Sequence, residues 1–110
     1  MVLCALLITD TERKGIRMTT VIVYHEVQDG TVWGNAWKKG PGSRHEMFGK
    51  IGITCRNFRD PENPNWTGVL AEVPDMAKFE ELLQSEEGRL AMREDGLMVE
   101  TMRMLVEFTP

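Results

Sequence analysis

The sequence predicts an α+β domain whose elements run strand, helix, strand, strand, helix, strand. Three observations predict it. Apolar side chains recur with the two-residue period of a strand in four stretches. Between the first pair and the last pair of these stretches the spacing changes to the three and four residues of an amphipathic helix. Glycine and proline clusters fall at the changeovers, where they end one element and start the next.

The first strand is Thr19–Val27, with Val21, Val23, His25 and Val27 on one face and Ile22, Tyr24 and Glu26 on the other. Asp29-Gly30 ends it. From Thr31 a helix is expected, because Trp33, Ala36 and Trp37 share one side of it. Gly40-Pro41-Gly42 interrupts this helix. Ser43 and Glu46 then form an S-x-x-E capping box and restart a short helical stretch carrying Met47, Phe48 and Ile51. After Gly52, Ile53–Arg59 reads as the second strand. Asp60–Asn65, with two prolines, is a turn, and Trp66–Val73 is the third strand, paired with the second as a hairpin. Asp75 caps the next helix, which turns Met76, Phe79, Leu82 and Leu83 inward. Ser85 caps a further turn, and Leu90 and Met92 continue its apolar side. Gly96 stops it. Leu97–Phe108 is expected as the last and longest strand, with Met98, Met102, Met104, Val106 and Phe108 on one side and Leu97, Val99 and Leu105 on the other.

This order is the split βαβ, or ferredoxin-like, pattern: a four-stranded antiparallel sheet with the helices on one face. An antiparallel sheet with one wet face alternates cleanly between apolar and polar. The first and last strands are apolar on both sides. A monomer would expose one side as a patch larger than soluble monomers tolerate. A second copy of the chain is the simplest cover, so a homodimer whose sheets face each other is expected.

The chain has 110 residues, room for one domain. A net charge of -4 speaks against a nucleic-acid groove or an anionic membrane surface as partner. Lys38, Lys39, Arg56 and Arg59 are scattered, without aromatic interleaving. Two cysteines, Cys4 and Cys55, are too few for a disulfide framework and read as reduced small hydrophobes. The apolar run Val2–Ile8 is too short for a bilayer span and lacks the positive start of a secretory signal. A cytoplasmic protein is expected. Residues 1–17 read as an N-terminal extension, an extra strand or arm, ahead of a domain over 18–110. They also read as a translated leader before a native start at Met18, since Lys14-Gly15 would be encoded by a purine run resembling a ribosome-binding site.

Tyr24-His25-Glu26-Val27-Gln28-Asp29 followed by Trp33, Asp60-Pro61 in the hairpin, and Gly96 before the final strand resemble the dimeric α+β barrel superfamily over about residues 18–108. That superfamily includes antibiotic-biosynthesis monooxygenase-like, EthD-like and muconolactone isomerase-like proteins and haem-degrading monooxygenases. The resemblance implies two sheets packed into a shared barrel, with a cavity in each subunit between helices and sheet. Some isomerase members use a histidine on the first strand, a position that His25 resembles. Several monooxygenase members oxidise polyaromatic substrates without metal or cofactor. The Asn, Trp and His set of the haem-degrading branch has no match here.

The residues give their own candidates. His25 is a possible general acid or base near neutral pH, set against a histidine held by one hydrogen bond at the sheet surface. Trp33 and Trp37, one turn apart, would wall a pocket or simply fill the core. Thioethers from Met47, Met98 and Met102 would adapt to a guest. Arg103 would clamp a ligand carboxylate or hydroxyl, or find a partner in the dimer interface. His45, next to Arg44 and Glu46, reads as part of a charged surface turn. With His25 and His45 twenty residues apart and no H-E-x-x-H, no metal site is expected. No P-loop and no G-x-S-x-G elbow is present, and no cofactor is expected. Two functions follow. One is a small enzyme binding an apolar, fatty-acid-like or aromatic metabolite between helices and sheet, a cofactor-independent monooxygenase or isomerase. The other is a non-catalytic ligand-binding or assembly module.

Overall fold

The computed structural model describes residues 18–110, and the strand or arm expected over 1–17, with Cys4, lies outside the described residues. Strand β1 (Thr19–Glu26) is followed by helices α1 (Gly30–Ala36) and α2 (Arg44–Gly49). The hairpin β2 (Thr54–Arg59) and β3 (Trp66–Val73) comes next, then helices α3 (Met76–Gln84) and α4 (Glu86–Glu94), a 3-10 turn (Val99–Thr101) and β4 (Arg103–Val106). The four strands form one antiparallel sheet in the order β2-β3-β1-β4. This is the ferredoxin-like arrangement expected from the sequence, with the two halves of the chain interleaved at its centre.

Each helix starts where a side-chain oxygen takes up backbone N–H groups that the first turn leaves free. The Asp29 carboxylate accepts from Thr31 N (2.9 Å) and Val32 N (3.4 Å). Ser43 Oγ accepts from Glu46 N (3.2 Å), while Glu46 reaches back to Gly42 N (3.2 Å), one residue before the position of a standard capping box. Asp75 and Ser85 cap α3 and α4 through Lys78 N and Gly88 N. The start of α1 is tied to the hairpin loop: Asn65 accepts from Gly30 N through its side chain (2.9 Å) and from Val27 N through its carbonyl (2.8 Å).

The core lies between the helices and one face of the sheet. Val21, Val69, Ala71 and Val73 supply the sheet side, and Trp33, Trp37, Phe48 and Phe79 the helix side, all buried. Met76, Leu82 and Leu83 pack against them as expected, whereas Leu90 points to solvent. On the opposite sheet face, strand pairing sets Ile22 beside Leu70 and Leu105, and Tyr24 beside Gly68, with Phe58 on the far side of Gly68. Ile22 is 43% exposed and Leu105 56%.

The last strand departs from expectation. It is the shortest, not the longest, and the cause is Thr101. Its hydroxyl donates to Met98 O (2.6 Å) and accepts from Glu26 N (2.8 Å). A side chain thus satisfies a β1 amide that a strand carbonyl would otherwise meet, and the chain folds into a 3-10 turn there. Pairing resumes with a register three residues out of step between the Val27–Leu97 bridge and the Tyr24–Arg103 pair. An odd insertion inverts the alternation of faces. Leu97, expected opposite Met102 and Met104, therefore shares the helix side with them, where all three pack on the core or its cavity.

The packing makes two glycines opposite in character. A Cβ on Gly88 would stand 2.0 Å from Leu82 O, where α4 crosses the end of α3, whereas one on Gly34 would meet nothing within 4 Å. Gly34→Ala should raise stability by about 0.5–1 kcal/mol, the usual helix-interior gain. Gly88→Ala should lower it by roughly 1–3 kcal/mol, as overpacking does. Urea unfolding of the two variants checks both signs.

Candidate functional site

A cavity of about 70 Å³ lies between the sheet and the helices, with His25, Trp33, Trp37, Met47, Phe48 and Met102 among its walls. Rings form its longest wall: His25 to Trp33 edge-on (6.1 Å between centroids), Trp33 to Trp37 (6.1 Å), Trp37 stacked on Phe48 (5.7 Å), then Phe48 to Phe79 (6.2 Å). The helical spacing of Trp33 and Trp37 aims both indoles at the sheet, where β1 presents His25 between Val23 and Val27.

His25 is only 4% exposed. Thr67, its neighbour across β3, places Oγ1 2.7 Å from Nδ1 and donates to the His25 carbonyl oxygen at 3.1 Å. One hydroxyl thus anchors both the ring and the backbone of His25. Nε2 makes no hydrogen bond to the described residues, yet none of their buried side-chain polar atoms is left without a partner. His25 itself is among the residues that line the cavity. Burial lowers the imidazole pKa, outweighing the opposing pull of the His25 carbonyl and the Asp95 charge. The ring is neutral at pH 7 and borders a largely apolar space.

The other polar wall is an ion pair. Arg44, the first residue of α2, meets Asp95, just past α4, through two nitrogens: Nη2 to Oδ1 at 2.7 Å and Nε to Oδ2 at 2.9 Å. The Asp95 side chain is 8% exposed and that of Arg44 16%. Glu94 stands 3.7 Å from the same guanidinium. The bond to Asp95 raises the Arg44 pKa further above its ordinary value, so the guanidinium stays charged at any physiological pH. Cys55 is the third reactive group on the wall, and burial pushes its thiol up to about 12, which keeps it protonated.

Of the residues singled out in the sequence, His25, Trp33, Trp37, Met47 and Met102 meet at this cavity. Met98 and Arg103 do not line it. The register shift before β4 carries Met98 off that side, and Arg103 is exposed, donating to Met102 O (2.9 Å). His45 is half-buried, with its ring edge against Trp37 (5.1 Å). Sequence reasoning missed Thr67, Arg44 and Asp95. The Ser43 cap announced the helix that carries Arg44, but nothing local to Arg44 names a partner 51 residues away. Among the described residues, no three His, Cys, Asp or Glu side chains gather into a metal site.

No family model and no curated protein matches the chain. Among solved structures it is similar to an antibiotic biosynthesis monooxygenase, at 12% identity and a TM-score of 0.62, over 84% of this chain and 99% of that one. An EthD family protein from Bacillus halodurans aligns at 11% identity and a TM-score of 0.48, over 86% of this chain and 100% of that one. The first likeness establishes the shared ferredoxin-like fold, and no more at that identity.

Two measurements probe the polar groups. The unfolded chain takes up a proton at His25 near the ordinary value of 6.5, and the folded chain only at a lower pH. Stability should therefore fall as pH drops from about 6.5 through the folded pKa, and His25 should contribute no further loss below it. In His25→Gln, the urea midpoint should change less between pH 7 and pH 5 than in the wild type. Asp95→Asn leaves Arg44 facing a neutral amide, and chemical unfolding should show a loss of about 3 kcal/mol, as for other largely buried pairs broken on one side.

Proposed function

We propose that the chain is a small enzyme that admits an apolar or aromatic metabolite beside His25 and removes a proton from it. One observation carries this reading: Thr67 holds, through Nδ1, the ring of a histidine that lines the apolar cavity. A neutral imidazole fixed at one nitrogen has the form of a general base. The apolar walls select a substrate with an activated C–H or phenolic O–H and little other polarity. An isomerase returns the proton to another carbon. A cofactor-independent monooxygenase instead passes electrons from the resulting anion to dioxygen. Both start with the step that His25 is positioned to perform. The likeness to a monooxygenase supports the reading at the level of fold.

The exposed sheet face favours a homodimer in the same reading. Ile22, Tyr24, Phe58 and Leu105 are all well exposed apolar side chains on that face. Ile22, Tyr24 and Phe58, with Trp66 and Leu70, edge a broad groove of about 640 Å³ over Gly68. A facing sheet would fill this groove, and an interface of that kind typically buries on the order of 1,600 Å². The same face also suits a non-catalytic assembly module, which makes the catalytic test decisive between the two.

That test is hydrogen–deuterium exchange of enolisable aryl ketones and phenols in deuterium oxide. Exchange at the activated carbon should be accelerated, and His25→Gln should reduce the acceleration by about 10²–10⁴-fold, the usual worth of a positioned base. Exchange at the buffer rate, or a rate that His25→Gln leaves alone, leaves a binding module. For the dimer, Ile22→Lys should convert a dimer into a monomer in sedimentation velocity, with the far-UV spectrum retained. A wild-type chain that is monomeric at micromolar concentration overturns the interface.

A further inference from the structure

A cavity of about 70 Å³ is smaller than the roughly 150 Å³ that receives benzene in an engineered protein core. Any aromatic or aliphatic guest therefore needs more space than the cavity itself offers. The wall shows where that space lies. Leu83, Met92 and Met102 line the cavity, and the same three side chains line a groove of about 630 Å³ on the outer surface. This groove lies where α3 and α4 approach the 3-10 turn and β4, and Val99 and Met104 extend its apolar floor. It falls within the 300–1,000 Å³ typical of ligand sites. All three shared residues are only half-buried. Two of them are unbranched thioethers, which change shape through several soft torsions at little cost.

The groove also has a polar end. Arg89 and Arg93 come from α4 one turn apart, and so from one side of the helix, with Gln84 and Glu80 of α3 across from them. Glu80 offsets one positive charge and leaves a net positive rim in a chain whose net charge is -4. Paired guanidinium groups are suited to a carboxylate.

We propose that cavity and groove are two halves of one ligand site, divided by a movable partition of Leu83, Met92 and Met102, and that its ligand class is the amphiphilic carboxylate. The carboxylate is held at Arg89 and Arg93. The apolar chain passes between Met92 and Met102 and brings its far end to His25. This assignment rests on the reading of the His25 cavity as the substrate site and adds the route in, the polar anchor and the ligand class.

Two probes of matched tail, decanoate and 1-decanol, test it below their aggregation limits, with the His25 ring resonance reporting arrival at the cavity. Both should shift that resonance, and decanoate should bind about tenfold or more tightly. Replacing both arginines (Arg89→Gln with Arg93→Gln) should bring decanoate down to the affinity of decanol and leave decanol unchanged. Met102→Ile keeps the volume but stiffens the side chain at its base, and should slow association of both probes. Equal affinities in the wild type overturn the carboxylate anchor, as does a preference that survives the arginine substitutions, while a moving His25 signal leaves the cavity reading standing. Unchanged association in Met102→Ile overturns the partition. If neither probe moves His25, the cavity reading fails and this assignment fails with it.

Discussion

A sheet with apolar side chains on both faces must be covered twice, and this constraint organises the molecule. The alternation in β1 places Val21 and Val23 on one side and Ile22 and Tyr24 on the other. The described helices cover one side only. They carry large rings, because short helices laid over a twisted sheet leave gaps that small side chains do not fill. Indoles at Trp33 and Trp37 and phenyl rings at Phe48 and Phe79 close most of this space. What they leave open is the cavity, and His25 is the polar residue that β1 contributes to it. The cavity is thus a remainder of packing, set where a strand histidine meets a wall of rings.

The fold was legible in the sequence wherever a local signal decides the structure. Ser43, Asp75 and Ser85 start helices because capping depends on residues within one turn. The prolines of Asp60–Asn65 mark the hairpin for the same reason, and β3 runs over Trp66–Val73 as read. β4 was misread because its interruption is not local. Alternation from Leu97 to Phe108 looks continuous, and what breaks it is a hydrogen bond from Glu26 to Thr101, 75 residues apart. The periodicity of the segment carries no trace of that partner.

The site divides along the same line. His25, Trp33 and Trp37 were visible because a titratable group in an apolar strand and two indoles at helical spacing are anomalies of the sequence itself. Met102 reached the cavity and Met98 did not, a distinction made by the register shift. Arg44 reads in the sequence only as part of the charged turn around His45, and Asp95 carries no local signal. Their meaning comes from tertiary proximity: Arg44 opens one helix, Asp95 follows another, and the fold brings the two ends together over the cavity. A charge pair that joins two helix ends also fixes their separation, which neither helix specifies alone.

The 3-10 turn at Val99–Thr101 has a consequence beyond register. β4 is an edge of the sheet, and a long straight edge offers a row of unpaired backbone groups to any other extended chain. Here the would-be edge is cut to four residues, and Thr101 turns the backbone aside just before it begins. An apolar final segment rich in methionine and valine, left straight, would be a template for strand-to-strand association in an uncontrolled register. The turn shortens that template. A single hydroxyl thereby leaves other extended chains little straight edge along which to add.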